Sequence, residues 1–350
     1  MIAPSATGME QQFSHLLKEE TFIRKQEGRG FKQEDVFLAT SVRPSVHDFE
    51  NYLVKAMMEV NASVDEALIT HSRTRVLLST TKGNLSAGFA NAIVQPMQWL
   101  YEKYKLQHAP LAVSNACASG VIAINTAADY ISLNICDHVV VLGIDVVWDF
   151  VLYGFQSLYA VSAEPCKPYD KNRKGISLGE ACAAVVLSNN ASIFKQAPLL
   201  YLGGSSSNDA NHISGPSRTG EGLCRSVNKT LQYAGVTANE IDYISAHGTA
   251  TLFNDEMEAI AFNRLRMEAI PLNSFKGYYG HTLGAAGVLE TALGMHCLRE
   301  NMLIKNLGYH EQGTTVPLNI ITAHEDKQID LLLKTASGFG GCNASLLIKK

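Results

Sequence analysis

The chain has no excess of positive charge: 29 lysines and arginines against 33 aspartates and glutamates give a net charge of -4 over 350 residues. That removes the electrostatic footprint of a nucleic-acid binder or a basic membrane-surface protein. No CxxC pair occurs among the seven cysteines (Cys117, Cys136, Cys166, Cys182, Cys224, Cys297, Cys342), and their number is odd. The spacing argues against a disulfide framework or a structural zinc site and for a reducing compartment. No apolar run approaches the length of a membrane span, and the opening MIAPSATG lacks a basic region followed by an apolar one. The expectation is a soluble, cytoplasmic protein with neither nucleic acid nor membrane as partner. What the sequence does have is bulk. With 46% hydrophobic residues it can bury a large core, in two domains or in one duplicated one.

Apolar runs bounded by turn signals alternate with helical patterns. Arg75 to Ser79, Leu111 to Ser114, His138 to Ile144 and Ala183 to Leu187 read as strands; Val54 to Leu68, Ala87 to Tyr104 and Ala118 to Ile131 read as helices. Met1 to Gly8 reads as loop and Glu10 to Glu27 as a charged helix. A second cycle starts at Leu199, with strands at Leu199 to Gly204, Ile241 to Ala246, Leu272 to Phe275, Leu331 to Ala336 and Ala344 to Ile348. Helices are expected between them at Leu223 to Ala234 and Asn254 to Leu265. Strands alternating with helices imply an α/β layered fold.

Cys117 falls where a buried strand, Leu111 to Ser114, runs into the helix starting at Ala118. Free N–H groups and the positive end of the helix dipole stabilise an anion there. A thiol so placed is expected to be more acidic than a free one; a shift from about 8.5 to about 7 would leave it half ionised at neutral pH. The two cycles also resemble each other locally. Cys117 is followed three residues later by Gly120 and a small-residue helix, and His281 by Gly284 and AAGVLETALGMHCL. Duplication would put the two helices in equivalent places and let Cys117 and His281 face one cavity.

Four segments carry groups that catalysis could use: NACASG, AHGTATLFNDEMEA, SFKGYYGHTLGAAG and SGFGGCNASL. In this order they resemble the β-ketoacyl synthases of the thiolase superfamily, with further similarity in PYDKNRKGISLGEACAAVVL and SNDANHISGPSRTGEG, from about Pro4 to Leu347. The resemblance implies a thiolase-like, duplicated α-β-α-β-α architecture with two mixed sheets. Residues 1–190 would form the half carrying the nucleophile and residues 191–350 the half carrying two histidines.

The same resemblance implies roles. Cys117 would accept an acyl group from a carrier-protein thioester. His247 and His281 would be the active-site histidines, Lys276 the lysine beside them, and Glu258 with Asp255 the acids after the first histidine, Glu258 holding the lysine. Thr249 and Thr251 would line the pantetheine arm. Phe339 would be the gate, and the backbone N–H groups of Cys117 and Phe339 an oxyanion hole, with Gly340 and Gly341 permitting the tight backbone path. Taken alone, Lys276 would read as a solvated loop lysine, GFGG as a turn, and NDEMEA as a helix N-terminus capped by Asn254. His212, His296 and His324 carry no assigned role.

The chemistry suits these residue types. A soft nucleophile exchanges thioesters, and two neutral imidazoles can hold the enolate left when a malonyl thioester loses carbon dioxide. The implied reaction is decarboxylative condensation of an acyl group on Cys117 with malonyl-acyl-carrier protein to 3-ketoacyl-acyl-carrier protein, in fatty-acid or polyketide and polyene assembly. No metal or cofactor is expected beyond the phosphopantetheine of the carrier protein. A homodimer is implied, with a heterodimer of related subunits open. Competing readings are a non-catalytic, pocket-shaping partner of another synthase subunit and a coenzyme-A-dependent thiolase or acyltransferase. The chain departs from the family in its usual first strand, which is absent or sits outside the numbered sequence, in a short segment before Cys117, in Ala250 where glycine or serine is common, and in Cys342 where threonine is usual.

Overall fold

The computed structural model describes residues 1–3, 6–40, 48–65, 67–209 and 215–350. Pro4, where the resemblance begins, and His212 lie outside the described residues. Two mixed sheets dominate. The first has six strands, in spatial order Ala6–Thr7, Ile2–Ala3, Ala181–Ser188, His138–Asp145, Thr74–Ser79 and Leu111–Val113. The second has five, in the order Leu272–Asn273, Tyr243–Ser245, Leu331–Gly338, Cys342–Lys349 and Leu200–Asn208. In each sheet parallel pairs give way to an antiparallel one: Thr74–Ser79 runs parallel to His138–Asp145, which runs antiparallel to Ala181–Ser188. Among the described residues no helix is long and apolar enough to cross a membrane.

Every residue of His138–Asp145 is buried, as a strand covered on both faces requires. The outer face of the six-stranded sheet takes Phe49, Leu53, Ala56 and Met57 of the helix Asp48–Ser63. The outer face of the five-stranded sheet takes Leu223 and Val227 of Glu221–Ala234 and Met257 and Phe262 of Leu252–Arg264. Between the sheets lie the helices Ser119–Ser132 and Ala286–Glu300, each packed on strands of both. The result is the thiolase-like α-β-α-β-α stack.

The two inner helices meet at glycine. A Cβ on Gly120 would lie 2.5 Å from the Val288 amide nitrogen and 2.7 Å from Gly287 Cα, and one on Gly287 would lie 2.5 Å from the Val121 nitrogen. Backbone touches backbone, so neither position has room for a side chain. Spacing paired Gly120 with Gly284, but the contact falls on Gly287, and Gly284 backs onto Thr80 and Asp145 instead.

Other expectations are corrected. The helix expected over Glu10 to Glu27 is confined to Met9–Leu17; the chain turns at Glu19, whose φ is 55°, and Arg24–Gln26 forms a strand paired with Val36–Leu38. Ile2–Ala3 and Ala6–Thr7, read as loop, form a two-strand edge joined to Cys182. The helix Asp149–Ser157 was not anticipated. Leu111–Val113, expected to be buried, is an edge strand with Leu111 45% exposed, because among the described residues it pairs with Thr74–Ser79 alone.

Candidate active site

Cys117 lies in the turn between Leu111–Val113 and Ser119–Ser132. Ser119 closes that turn with its own side chain: its Oγ accepts from the Asn115 N–H at 2.7 Å and donates to the Ala116 carbonyl at 2.6 Å. Ala116 takes a φ of 45°, a conformation that costs a non-glycine residue about 1 kcal/mol. The thiol is buried. Burial pushes it up to about 11, against the pull of Lys276 and Lys82. This runs against the expectation of an acidic thiol: the cost of desolvating a thiolate exceeds what the two lysines return.

His247 follows the strand Tyr243–Ser245, in a loop gripped from both sides. Its own N–H and that of Gly248 donate to the two oxygens of Glu258, at 2.8 and 2.7 Å. The N–H groups of Thr249 and Ala250 donate to Asp255 Oδ1. Glu258 also accepts from the Tyr169 hydroxyl and from Asn254 Nδ2. Burial and the neighbouring Asp255 nevertheless push its carboxyl above the usual range. On the carbonyl side, Lys276 Nζ donates to the His247 carbonyl and lies 3.3 Å from His247 Nδ1.

Glu258 therefore holds the loop, and the expectation that it holds Lys276 is corrected. The lysine's carboxylate is Glu290, at 2.6 Å, whose second oxygen takes Lys334, also at 2.6 Å. Both residues were missed. Glu290 sits in an inner helix and Lys334 in a buried strand, and a charged residue within LLLKTAS was the one available signal. Ala250, where glycine or serine is common in the family, adopts a φ of 65°, which glycine would take without strain. Asn254 is not the cap of its helix: Thr251 is, accepting from the Asn254 N–H.

His281 is fixed to the loop before Ala181–Ser188. Its N–H donates to the Ser177 carbonyl at 2.7 Å, and its carbonyl accepts from Gly179. The Leu283 N–H donates to His281 Nδ1 at 3.1 Å. In both histidines Nδ1 thus faces a donor, which leaves the ring proton on Nε2. Burial first, then Lys276, hold both rings well below the ordinary histidine value, so both are neutral N–H donors. The rings stand edge to face, centroids 5.2 Å apart.

The Cys117 sulfur and one ring nitrogen of each histidine lie within 4.8 Å of one another. Three such atoms have the chemistry of a metal site, but the surroundings oppose it. A metal-bound imidazole donates its other N–H to an acceptor, whereas here the other nitrogen of each ring receives a donor. The constellation suits an oxygen anion.

A cavity of about 600 Å³ leads from exposed Tyr159, Leu252 and Phe253 to Cys117 and the two histidines. Thr249 and Thr251 line it, their hydroxyls 2.8 Å apart. Phe339 lines it too, its ring 5.5 Å from that of Phe155. A Cβ on Gly338 would lie 3.1 Å from the Cys117 nitrogen, so the backbone entering Phe339 lies against the nucleophile's turn. Gly340 and Gly341 continue with φ of 81° and 75°.

Comparison with known proteins agrees with this layout. The sequence model described as "Beta-ketoacyl synthase, N-terminal domain" matches residues 69–192, and "Beta-ketoacyl synthase, C-terminal domain" matches residues 201–310. The chain is 33% identical over 263 residues to 3-oxoacyl-[acyl-carrier-protein] synthase 2 of Rhizobium meliloti, covering 71% of this chain and 62% of that protein. It is 30% identical over 262 residues to the enzyme of the same name from Coxiella burnetii, covering 71% and 63%. The chain thus spans under two thirds of the length of these relatives. A chain of the ketosynthase ApeO–chain length factor ApeC complex from Xenorhabdus doucetiae superposes with a TM-score of 0.88 at 25% identity, covering 99% of this chain and 95% of that one. With both domain models matched in order, and a cysteine and two histidines gathered from the two of them, the chain belongs to the β-ketoacyl synthase family.

Proposed function

We propose that the chain is a β-ketoacyl-acyl-carrier-protein synthase, condensing an acyl group carried on Cys117 with malonyl-acyl-carrier protein. The observation that carries this reading is the gathering of the Cys117 sulfur and a nitrogen of His247 and of His281 within 4.8 Å, at the end of a cavity open to the surface. In the first half-reaction Cys117 attacks the acyl thioester carbonyl. The carbon–sulfur bond to pantetheine breaks, and the thiol proton leaves on the departing pantetheine sulfur. A thiol pushed up to about 11 needs no permanent base for this exchange, because it trades its proton for the leaving group.

In the second half-reaction the malonyl carbon–carboxylate bond breaks, carbon dioxide leaves, and the electron pair becomes an enolate. Its oxygen takes the two Nε2–H donors. Removing one donor of this kind costs about 3–4 kcal/mol, roughly 10²- to 10³-fold in rate. The enolate carbon then attacks the acyl carbonyl, a carbon–carbon bond forms, the carbon–sulfur bond to Cys117 breaks, and the departing thiolate takes one proton from water. Thr249 and Thr251 serve the pantetheine arm, Phe339 the gate, and the backbone N–H groups of Cys117 and Phe339 the acyl oxyanion.

The partner is an acyl carrier protein, and no cofactor is needed besides the pantetheine it carries. The exposed edge strand Leu111–Val113 supports a dimer through the six-stranded sheet. The ketosynthase–chain length factor pairing of ApeO and ApeC supports a heterodimer as the alternative, with this chain as a pocket-shaping partner. Seven free, buried cysteines favour a reducing cytoplasm. Incubation with acyl- and malonyl-acyl-carrier protein should give a 3-ketoacyl product, and Cys117→Ala should abolish it; product from the alanine variant would overturn the reading.

A further inference from the structure

Two lysines are buried beneath His247, and the chemistry above uses one of them. The other, Lys334, sits in the middle of the strand Leu331–Gly338 with 0% exposure. A buried ammonium is tolerated only when its hydrogens find acceptors. All three do: Glu290 Oε2 at 2.6 Å, the Ser245 carbonyl at 3.2 Å and the Ala246 carbonyl at 3.3 Å. Ser245 is directly paired with Lys334 across the parallel ladder, and Tyr243–Ser245 ends there. Lys276 takes the next carbonyl, that of His247, and the other oxygen of Glu290. Three consecutive carbonyls, those of residues 245, 246 and 247, are therefore held by two ammonium groups bridged through one carboxylate.

Resting on the proposed reading for what His247 does, we propose that Lys334 is a positioning residue whose ammonium serves as a built-in cation, fixing the end of the Tyr243–Ser245 strand and Glu290 so that the His247 N–H is aimed at the thioester oxygen. The carbonyl side of the loop then has its own anchor, matching the carboxylates of Glu258 and Asp255 on the N–H side. Four groups face or flank the imidazole: Lys276 from the turn Lys276–Tyr279, His281 from the loop after it, Cys117 from the nucleophile's turn, and Lys334 from its strand. Glu290 lies behind the two lysines and Glu258 on the backbone side. Burial pulls the Lys334 amine below its ordinary value, with Glu290 pulling the other way; while it keeps its proton, Glu290 neutralises only one of the two ammonium groups and a net positive charge stays under the ring. It acts with burial to disfavour imidazolium.

The test is Lys334→Met, which keeps the apolar stem and removes the charge. The folded variant should lose roughly 10²-fold in kcat for malonyl decarboxylation, as expected for a misaimed donor, with KM for the carrier protein unchanged. Nitrogen-15 spectra of its histidines should show His247 taking up a proton at a higher pH than in the wild type. A folded Lys334→Met protein with wild-type kcat and wild-type His247 titration overturns the proposal. Should that variant not fold, lysine side-chain nitrogen spectra of the wild type decide: an ammonium signal for Lys334 at pH 7 supports the built-in cation, and a neutral amine overturns it. A wild type that shows no decarboxylation, but whose His247 titration still moves in Lys334→Met, overturns the condensing function and leaves the lysine's role standing.

Discussion

Gly120→Ala sets two effects of opposite sign against each other. In an exposed helix the change would stabilise by about 1 kcal/mol, since alanine is the better helix former. Here the added methyl would lie 2.5 Å from the Val288 nitrogen and 2.7 Å from Gly287 Cα, both backbone atoms that no rotamer change can move. Ordinary contact needs about 3.5 Å, so the two inner helices must part by about 1 Å. Overpacking of that kind costs about 1–3 kcal/mol, leaving a net loss of about 0–2 kcal/mol after the propensity gain. One helix begins just after Cys117 and the other just after His281, so the same displacement separates sulfur from imidazole. Misplacement by about 1 Å costs roughly 10²-fold in rate. The assays are urea unfolding and condensation kinetics on one preparation. Gly287→Ala should behave alike, and the double variant should cost less than the sum, because both methyls open one gap. A Gly120→Ala protein more stable than wild type with unchanged kcat would refute the reasoning.

Alkylation of Cys117 by iodoacetamide should accelerate about tenfold per pH unit from pH 7 to pH 10, because the thiolate fraction of a thiol pushed up to about 11 grows over that whole range; a rate already level by pH 8 would restore the acidic thiol. The same raised value means that Cys117 contributes stability below the ordinary thiol range, and this is lost as pH rises through about 11. Wild type should therefore lose more stability than Cys117→Ala between pH 9 and pH 11, by calorimetry. Glu258→Gln removes the charge that holds the His247 and Gly248 N–H groups, so it should cost about 2 kcal/mol of stability and roughly tenfold in condensation. Cys117 alkylation should be unchanged, and a parallel loss of alkylation would show damage beyond the histidine loop.

Strands with continuous apolar runs were legible, because Val139 to Ile144 has no other way to satisfy its burial. Cys117, His247 and His281 were legible as motif residues; duplication pointed to Cys117 and His281 facing one cavity, and only the family resemblance brought His247 to them. What sequence could not supply depends on neighbours. The helix end beside Cys117 is visible in its own segment, whereas tertiary burial, which raises the thiol, is not. The exposure of Leu111 depends on which strand lies beside it. Glu290 looks like an ordinary helical glutamate in VLETAL until two lysines, 14 and 44 residues away in the chain, converge on it. The Glu258–Lys276 pairing failed for the same reason: both residues were found, but Glu290 of the helix Ala286–Glu300, not Glu258 of Leu252–Arg264, is the carboxylate packed against Lys276.

The most direct test follows the intact mass of the protein with time. Given acyl-carrier protein alone, wild type and His247→Ala should both gain the acyl mass on Cys117, since transfer uses the sulfur and backbone donors. On addition of malonyl-carrier protein, wild type should discharge that mass as 3-ketoacyl product, while His247→Ala and His281→Ala should retain it, slowed roughly 10²- to 10³-fold. Discharge at the wild-type rate from either histidine variant would contradict the claim that the sulfur and the two imidazoles form one site.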